Sequence, residues 1–258
     1  MTTKVFSAET RTEAWLNAAE HLLANGDQLN LILDVAAPTR EGKVGPFARK
    51  LLDSLYVEEG QLPLHSVAET IFPGWEYLHR GVGGVYTKYP DEYKLLKRGS
   101  SGWGTYAQRL VSRTDREGNE TNPLSELVTK MRKTHHGRKA KYRACYEIGM
   151  PGDWLELPLY DDERDGGRLR GAPCLTHLSF KLIEGCVHLT ALYRSHDYRY
   201  KVPGNLLGLA RLQAFVAREV DVEIGTLVVH STLAYLDAGG SKVRLAKLLG
   251  RISEVSHG

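Results

Sequence analysis

The sequence has no run of about 18 apolar residues, which excludes a membrane-spanning helix of the usual length. Residues 1–10 also lack the basic-then-apolar order of a secretory signal. Cysteine is scarce: Cys145, Cys174 and Cys186 cannot all pair, and none stands in a CxxC or a Cys/His metal-ligand spacing. We therefore expect a cytoplasmic protein with reduced thiols and without a metal site.

Composition and charge are those of an ordinary globular protein. The 258 residues, of which 42% are hydrophobic and 25% are charged, are enough to bury one sizeable core. A net charge of +3 and a pI near 8.6 favour anionic ligands only mildly. A dedicated nucleic-acid binder usually carries much more positive charge, so neither a nucleic acid nor a membrane is an expected partner.

Apolar spacing predicts a mixture of helices and short strands. Helical spacing covers residues 10–25, 64–72, 124–132 and 206–220. Strand-like runs cover residues 29–35, 178–183, 187–192 and 226–229, with a Glu184-Gly185 turn between two of them. Glycine, proline and charged residues at 149–171 predict a surface insertion. We expect a single α+β domain over residues 1–258, with one mixed, mostly antiparallel sheet covered by helices.

The residues that carry chemistry are concentrated near the C-terminal third of the sequence. Cys174 follows a proline, an Arg194-Ser195-x-Asp197 run begins twenty positions later, and Asn205 stands eleven positions after Arg194. Each motif alone is a weak signal, because a lone Pro-Cys at a strand start is more often core packing than a nucleophile. An Arg-Ser-x-Asp run is usually a solvated turn. Their order and spacing together are far more specific.

In this register the motifs resemble the thymidylate synthase family, which carries a Pro-Cys nucleophile, an Arg-Ser-x-Asp site and a Pro-x-Asn base-reading site. The resemblance is strong over residues 172–237 and weak before them, and it is closest to the pyrimidine nucleotide hydroxymethylase-like branch. It implies a thymidylate synthase-like fold in which Cys174 adds to C6 of a pyrimidine. Arg194 and Ser195 would bind the 5′-phosphate, while Asp197 and Asn205 would hold the base.

Upstream segments supply further residues that the resemblance implies. Arg40 lies in an Ala-Pro-Thr-Arg-Glu-Gly segment similar to the family's N-terminal arginine loop. Glu69 falls where the family places its catalytic glutamate, and Tyr106 ends a Trp-Gly-Thr-Tyr segment similar to the loop beside the nucleophile. Arg138 and Lys139 resemble the segment that one subunit lends to the phosphate site of its partner. A homodimer that binds a pyrimidine nucleoside monophosphate and 5,10-methylenetetrahydrofolate is therefore implied.

The residue types suit this chemistry. A 5′-phosphate carries nearly two negative charges and prefers guanidinium donors. Nearby arginine charge is expected to lower the pKa of Cys174 and so to favour the nucleophilic thiolate. The amide of Asn205 can donate to O4 and accept from N3–H of uracil, although a flipped amide would leave cytosine open. Glu69 would move protons through water at O4 and at the incoming one-carbon unit.

Two features depart from the family pattern. The family's His and Tyr that hold the sugar 3′-hydroxyl correspond to Tyr235 and Asp237, which can still hydrogen-bond a hydroxyl but leave ribose and deoxyribose open. The chain also stops about twenty residues after Asp237, where the family continues with residues that close over the folate. A shortened lid predicts capture of water and a hydroxymethyl product, and it weakens the expectation of tight folate binding.

The resulting hypothesis is folate-dependent C5 hydroxymethylation of a pyrimidine nucleoside 5′-monophosphate through a Cys174 adduct. C5 methylation, as in thymidylate synthase itself, is the alternative within the same class. Outside that class, the alternative is a catalytically inactive relative that binds nucleotide or RNA through the basic stretch from Lys130 to Arg143.

Overall fold

The computed structural model describes residues 2–96, 104–114, 119–137, 146–149, 173–237 and 241–257. Of the predicted surface insertion at 149–171, only Gly149 belongs to these residues. The predicted partner-site residues Arg138 and Lys139 also lie outside the described residues, as do Trp103 and Cys145.

The first half of the chain is mainly helical. It contains β1 (Lys4–Ala8), α1 (Arg11–Asn25), β2 (Gln28–Val35), α2 (Gly45–Glu58), α3 (Leu64–Glu69), α4 (Gly74–Gly83), a π-helical turn (Gly84–Lys88), α5 (Tyr89–Leu96) and α6 (Tyr106–Val111). The second half contains β3 (Arg113–Thr114), β4 (Glu120–Thr121), α7 (Pro123–His136), β5 (Tyr146–Gly149), β6 (Leu175–Ile183), β7 (Cys186–Tyr193), β8 (His196–Asp197), α8 (Val202–Val220), β9 (Glu223–Tyr235) and α9 (Lys242–His257).

One mixed sheet organises the described residues. Its strand order is β1-β2-β9-β7-β6-β5, and β8 pairs with the end of β9. The β2–β9, β5–β6 and β6–β7 pairs are antiparallel, whereas the β1–β2, β7–β9 and β8–β9 pairs are parallel. Helix α8 packs against β7 and β9. A separate two-stranded antiparallel sheet pairs β3 with β4. The predicted α+β class with one main mixed sheet is confirmed.

Helix α1 shows how local sequence sets an element and its position. Thr10 and Glu13 form a reciprocal capping box at its start, and Gly26, with a φ of 80°, ends it. The buried Trp15 donates its indole N–H to the carbonyl oxygen of Tyr198 at 2.7 Å. This bond ties the helix to the turn that precedes α8. No helix among the described residues is both long enough and apolar enough to cross a bilayer.

Two glycines let α3 and α8 approach closely. A Cβ added at Gly204 would lie 2.5 Å from Cβ of Val67, and one at Gly208 would lie 2.6 Å from Cβ of Ile71. Both separations are far below van der Waals contact. The absence of side chains at these positions therefore sets how near the end of α3 comes to the first turns of α8.

We expect Gly208→Ala to lower the free energy of unfolding by about 1–3 kcal/mol, because the added methyl overpacks the α3–α8 contact. The matched control is Gly250→Ala in α9, where an added Cβ meets nothing within 4 Å. Alanine should stabilise that helix by about 0.5–1 kcal/mol. Urea denaturation of both variants measures the difference, and equal effects would contradict the close-packing argument.

Candidate active site

Cys174 lies directly before β6 and is half-buried. Its backbone N–H donates to the Tyr106 hydroxyl at 2.7 Å, and the N–H of Leu175 donates to the same oxygen at 3.1 Å. Tyr106 is itself fixed as the first residue of α6, where the Thr105 side chain caps the helix. The Tyr106 hydroxyl therefore holds the main chain at Cys174, although the two residues are far apart in the sequence.

Arg194 lies beside Cys174 at the end of β7. Its backbone N–H donates to the carbonyl oxygen of Cys174 at 2.9 Å, and its Nε donates to the carbonyl oxygen of Pro173 at 2.9 Å. Thr232 of β9 donates its hydroxyl to the Arg194 carbonyl oxygen at 2.7 Å. The side chain is otherwise exposed, so its terminal amino groups are available to an anion that approaches the thiol.

The pKa of Cys174 departs from the sequence expectation. Burial raises the pKa of the thiol above its ordinary value, while the positive charges of Arg194 and Lys201 lower it and the Asp197 carboxylate raises it. The expectation of a lowered thiol pKa is therefore wrong for the ligand-free protein, because desolvation of the thiolate outweighs the two cations.

Four further predicted residues, Ser195, Asp197, Tyr235 and Asp237, gather at the end of β9. The Ser195 side chain is hydrogen-bonded to Tyr235, and burial, together with the nearby Asp197 and Cys174, raises the pKa of the Tyr235 phenol. The Asp197 carboxylate accepts the N–H groups of Arg199 at 2.8 Å and of Asp237. Burial raises the pKa of this carboxyl. Asp197 thus also has a structural role, since it holds the turn that leads into α8.

Asn205 lies in the first turn of α8, and its side chain is buried. Its Nδ2 is 3.0 Å from Nε2 of His196, and Nδ1 of that ring is 3.0 Å from Oγ of Ser231. Burial lowers the pKa of His196 to about 3, so the ring is neutral at physiological pH. The predicted base-reading amide is therefore bound to a neutral imidazole.

Glu69 is the last residue of α3. Its Oε1 accepts from Nη1 of Arg211 at 2.9 Å, and its Oε2 accepts from the N–H of Trp75 at 3.3 Å. Burial raises the pKa of the Glu69 carboxyl, although both of these contacts act in the opposite direction. The next residue, Thr70, accepts the N–H of Ala107 at 2.9 Å. Glu69 is therefore joined by adjacent residues to the helix that begins with Tyr106.

Glu69 also lines a cavity of about 1,040 Å³ between α3, α4 and α8. Its aromatic walls include Phe72, Trp75 and Phe215, and the cations Arg211 and Arg218 lie along it. Pockets for drug-sized ligands usually measure about 300–1,000 Å³. The carboxylates of Glu69 and Glu219 line it as well, and Glu69 is paired with Arg211, so the walls carry both signs of charge. The volume is sufficient for a large planar ligand.

Arg40 is the described candidate that the structure does not bring to this cluster. Arg40 follows the end of β2, and Val35, the last residue of that strand, pairs with Leu227 of β9. Tyr235, which belongs to the cluster, lies eight residues beyond Leu227 along β9. Eight strand residues span about 26 Å. The exposed Arg40 side chain forms an ion pair with Glu9. A role for Arg40 in phosphate binding stays a prediction.

Three residues that were not predicted from the sequence contact or lie near the predicted ones: His196, Lys201 and Arg211. His196 occupies the variable position of the Arg-Ser-x-Asp run, and its contact with Asn205 could not be read from spacing. Lys201 acts on the thiol through its charge. Arg211, which binds Glu69, carried a usable signal, because it is a charged residue in the otherwise uncharged first half of α8.

Comparison with known proteins points to one family. No family model matches the chain. It is 41% identical over 132 residues to a protein of Methanosarcina acetivorans named "Putative thymidylate synthase", an alignment that covers 51% of this chain and 52% of that protein. A protein of the same name from Methanosarcina mazei is 39% identical over 132 residues, with the same shares of both chains. The chain spans about half the length of these curated relatives.

Proposed function

We propose that this chain, which is about 40% identical over half its length to proteins named "Putative thymidylate synthase", transfers a one-carbon unit to C5 of a pyrimidine nucleoside 5′-monophosphate and forms the 5-hydroxymethyl nucleotide. The observation that carries this proposal is the position of Arg194, whose backbone and side chain both bind the segment that contains Cys174. A guanidinium and a thiol are thus adjacent, which supports binding of a phosphorylated substrate beside the nucleophile.

In this proposal the phosphate binds the terminal amino groups of Arg194, and Sγ of Cys174 forms a bond to C6 of the base. The electrons of the C5–C6 double bond move toward O4, and C5 becomes nucleophilic. Arg194 and Lys201 stabilise the thiolate, since both lower the pKa of Cys174. The Tyr106 hydroxyl accepts hydrogen bonds from the consecutive N–H groups of Cys174 and Leu175. These two bonds fix the main chain at the thiol residue, so that Sγ keeps a defined position.

Glu69 is the proton carrier of the proposed reaction. Its pKa is raised by burial, so the carboxyl can take and return a proton near neutral pH more readily than an exposed glutamate. About a third of its side chain is exposed to the cavity, which gives water access to it. A bond from C5 to the one-carbon unit, release of that unit from the donor's nitrogens and loss of the C5 proton would leave an exocyclic methylene on C5. Water that adds to this methylene would lose a proton to Glu69, departure of Sγ from C6 would restore the double bond, and the two released protons would replace the carbon on the donor's nitrogens. Hydride supplied by the reduced folate, which would itself be oxidised, would give the methyl product in place of the hydroxymethyl product.

The cavity beside Glu69 fits the folate that the family implies. The exposed Trp75 offers a ring on which an aromatic group can stack, and Arg218 can bind a carboxylate, whereas Arg211 is already paired with Glu69. When bound, methylenetetrahydrofolate would supply the one-carbon unit at the level of formaldehyde. The protein's own contribution is to hold that donor next to Glu69 and to admit water there.

We further propose that the protein is a homodimer. In β9, Leu227 and Val229 are buried in the core, whereas the intervening Thr226, Val228 and His230 lie half-buried on the opposite face of the sheet. A second copy that packs on this face would complete the burial, and its Arg138 and Lys139 would reach the phosphate as the family resemblance implies. Light scattering is expected to give twice the chain mass of 28.8 kDa.

The proposed reaction is tested by incubating the protein with methylenetetrahydrofolate and, separately, with UMP, dUMP, CMP and dCMP. Mass spectrometry is expected to find a product heavier than its substrate by CH₂O. A product heavier by CH₂ would replace hydroxymethylation with methylation. Complete absence of product and of a Cys174 adduct, with all four nucleotides and with folded protein, would overturn the proposal.

A further inference from the structure

A chain of buried polar groups ends on the base-reading amide. Tyr198 and His196 both approach Oγ of Ser231, at 3.1 Å and 3.0 Å, and the other ring nitrogen of His196 is 3.0 Å from Nδ2 of Asn205. The His196 side chain is only 2% exposed, and its ring stacks on Tyr193 with a centroid distance of 3.8 Å. Both the position and the plane of the imidazole are therefore fixed.

The direction of the hydrogen bonds follows from the atoms. An amide nitrogen has two N–H groups and no acceptor, so Nδ2 of Asn205 donates and Nε2 of His196 accepts. A neutral imidazole with an accepting Nε2 carries its proton on Nδ1, which then donates to Oγ of Ser231. The second N–H and the carbonyl oxygen of Asn205 are left for a ligand.

We propose that His196, as the Nδ1–H tautomer, fixes the amide of Asn205 in the orientation that selects uracil over cytosine. The inference deepens the proposed function and rests on it, because it concerns the base of the same nucleotide. Uracil offers a donor at N3 and an acceptor at O4, which match the carbonyl oxygen and remaining N–H of the amide. Cytosine offers an acceptor at N3 and a donor at N4, which match the reversed amide.

His196 thus acts as a positioning residue, because it acts through Asn205. A reversed amide would turn its carbonyl oxygen toward His196, which would then need its proton on Nε2. Burial keeps the ring neutral, since its pKa is about 3, so protonation of both nitrogens does not relax the constraint at physiological pH. No other charged or titratable side chain is hydrogen-bonded to this ring among the described residues; its partners there are Ser231 and Asn205.

The tautomer is measured directly by ¹⁵N–¹H NMR of the imidazole in the ligand-free protein. The expected spectrum has a protonated Nδ1 and an unprotonated Nε2, unchanged between neutral and mildly acidic pH. A protonated Nε2 would overturn the inference, whether or not the protein turns over any nucleotide. This measurement therefore separates failure of the inference from failure of the proposed function.

The consequence for base choice is measured as the ratio of uracil to cytosine nucleotide affinity, by calorimetry. His196→Phe keeps the stack on Tyr193 and removes both hydrogen bonds, and it is expected to lower this ratio about tenfold by freeing the amide. His188→Phe makes the same substitution at the far part of β7, where the ring binds Thr226, and should leave the ratio unchanged. An unchanged ratio in His196→Phe would refute the positioning role.

A double substitution excludes a general effect on the fold. In an Asn205→Asp background the carboxylate has two equivalent oxygens and no amide to orient. In this background, His196→Phe is expected to change the ratio of uracil to cytosine nucleotide affinity less than twofold, although it removes the same ring nitrogens. A tenfold change in both backgrounds would show that His196 acts on the nucleotide by another route and would overturn the inference. If the unaltered protein binds none of the nucleotides, the proposed function is contradicted. The NMR measurement of the His196 tautomer would still test the inference in that case.

Discussion

Replacing Cys174 with alanine is expected to lower the turnover number by at least about 10⁴-fold, because it removes the thiol that adds to C6, and Cys186, the other cysteine in the described part of the chain, lies at the opposite end of β7. Nucleotide affinity should change only a few-fold, since the phosphate and the base are bound by Arg194 and Asn205. Steady-state kinetics gives the turnover number, and calorimetry gives the dissociation constant. A loss confined to kcat is the signature of a nucleophile, whereas a loss of binding would point to a structural role.

Cys186 provides the matched control for this substitution. It is also half-buried and reduced, but it begins β7, at the end of that strand opposite Tyr193. Cys186→Ala should keep the turnover of the unaltered protein. If turnover survives in Cys174→Ala, the covalent mechanism is wrong. The position of Arg194 beside the thiol would then no longer support the proposed reaction.

The raised pKa of Cys174 has a measurable consequence. Since the thiolate is the reactive form, alkylation by iodoacetamide should increase with pH and reach half its maximum above the ordinary thiol pKa. Arg194→Gln removes a charge that lowers this pKa, so the profile should move further toward alkaline pH. Peptide mass spectrometry separates Cys174 from the other two cysteines. A profile that moves toward acidic pH in this variant would contradict the charge assignment.

The spacing of twenty residues between Cys174 and Arg194 has a simple physical origin. The two residues flank an antiparallel hairpin, β6–β7, whose turn is Glu184-Gly185. Residues at equal distances from the turn lie opposite each other from Ile183–Cys186 as far as His177–Leu192, and an irregularity between Leu175 and His177 then shifts the register by one residue, so that Leu175 pairs with Tyr193. A strand pattern and a turn therefore predict this part of the site from the sequence.

Contacts between separate helices could not be predicted in the same way. The bond between Glu69 and Arg211 depends on how closely α3 approaches α8, which Gly204 and Gly208 decide through tertiary packing. The predicted strand 226–229 was also too short, because β9 continues through the polar His230 and Ser231 to Tyr235. Ser231 is polar yet buried, and only its partners in the folded chain explain that position.

Removing the carboxylate of Glu59 is expected to lower the free energy of unfolding by about 3–5 kcal/mol, because it leaves Arg199 as an uncompensated buried charge. The two side chains form an ion pair at 2.6 Å, with 1% of the arginine and 12% of the glutamate exposed. The other carboxylate oxygen accepts from the Tyr200 hydroxyl at 2.7 Å. Urea denaturation of Glu59→Ala measures the loss.

The neighbouring residue supplies the control. Glu58 pairs with Arg244 at 3.5 Å, and both side chains are at least 60% exposed. Glu58→Ala should therefore change the free energy of unfolding by less than about 1 kcal/mol, although it deletes the same carboxylate one position away. Similar losses in the two variants would show that burial does not decide the strength of the Glu59 pair.

The effect of Glu59→Ala should extend to the active site before the protein unfolds. The backbone N–H of Arg199 donates to Asp197, and Asp197 in turn accepts from Asp237, so the ion pair supports the turn that carries the base-binding residues. Partial release of Arg199 should weaken nucleotide affinity at denaturant concentrations where the far-ultraviolet circular dichroism is still native. Affinity that falls only together with the dichroism signal would mean that the ion pair stabilises the fold without shaping the site.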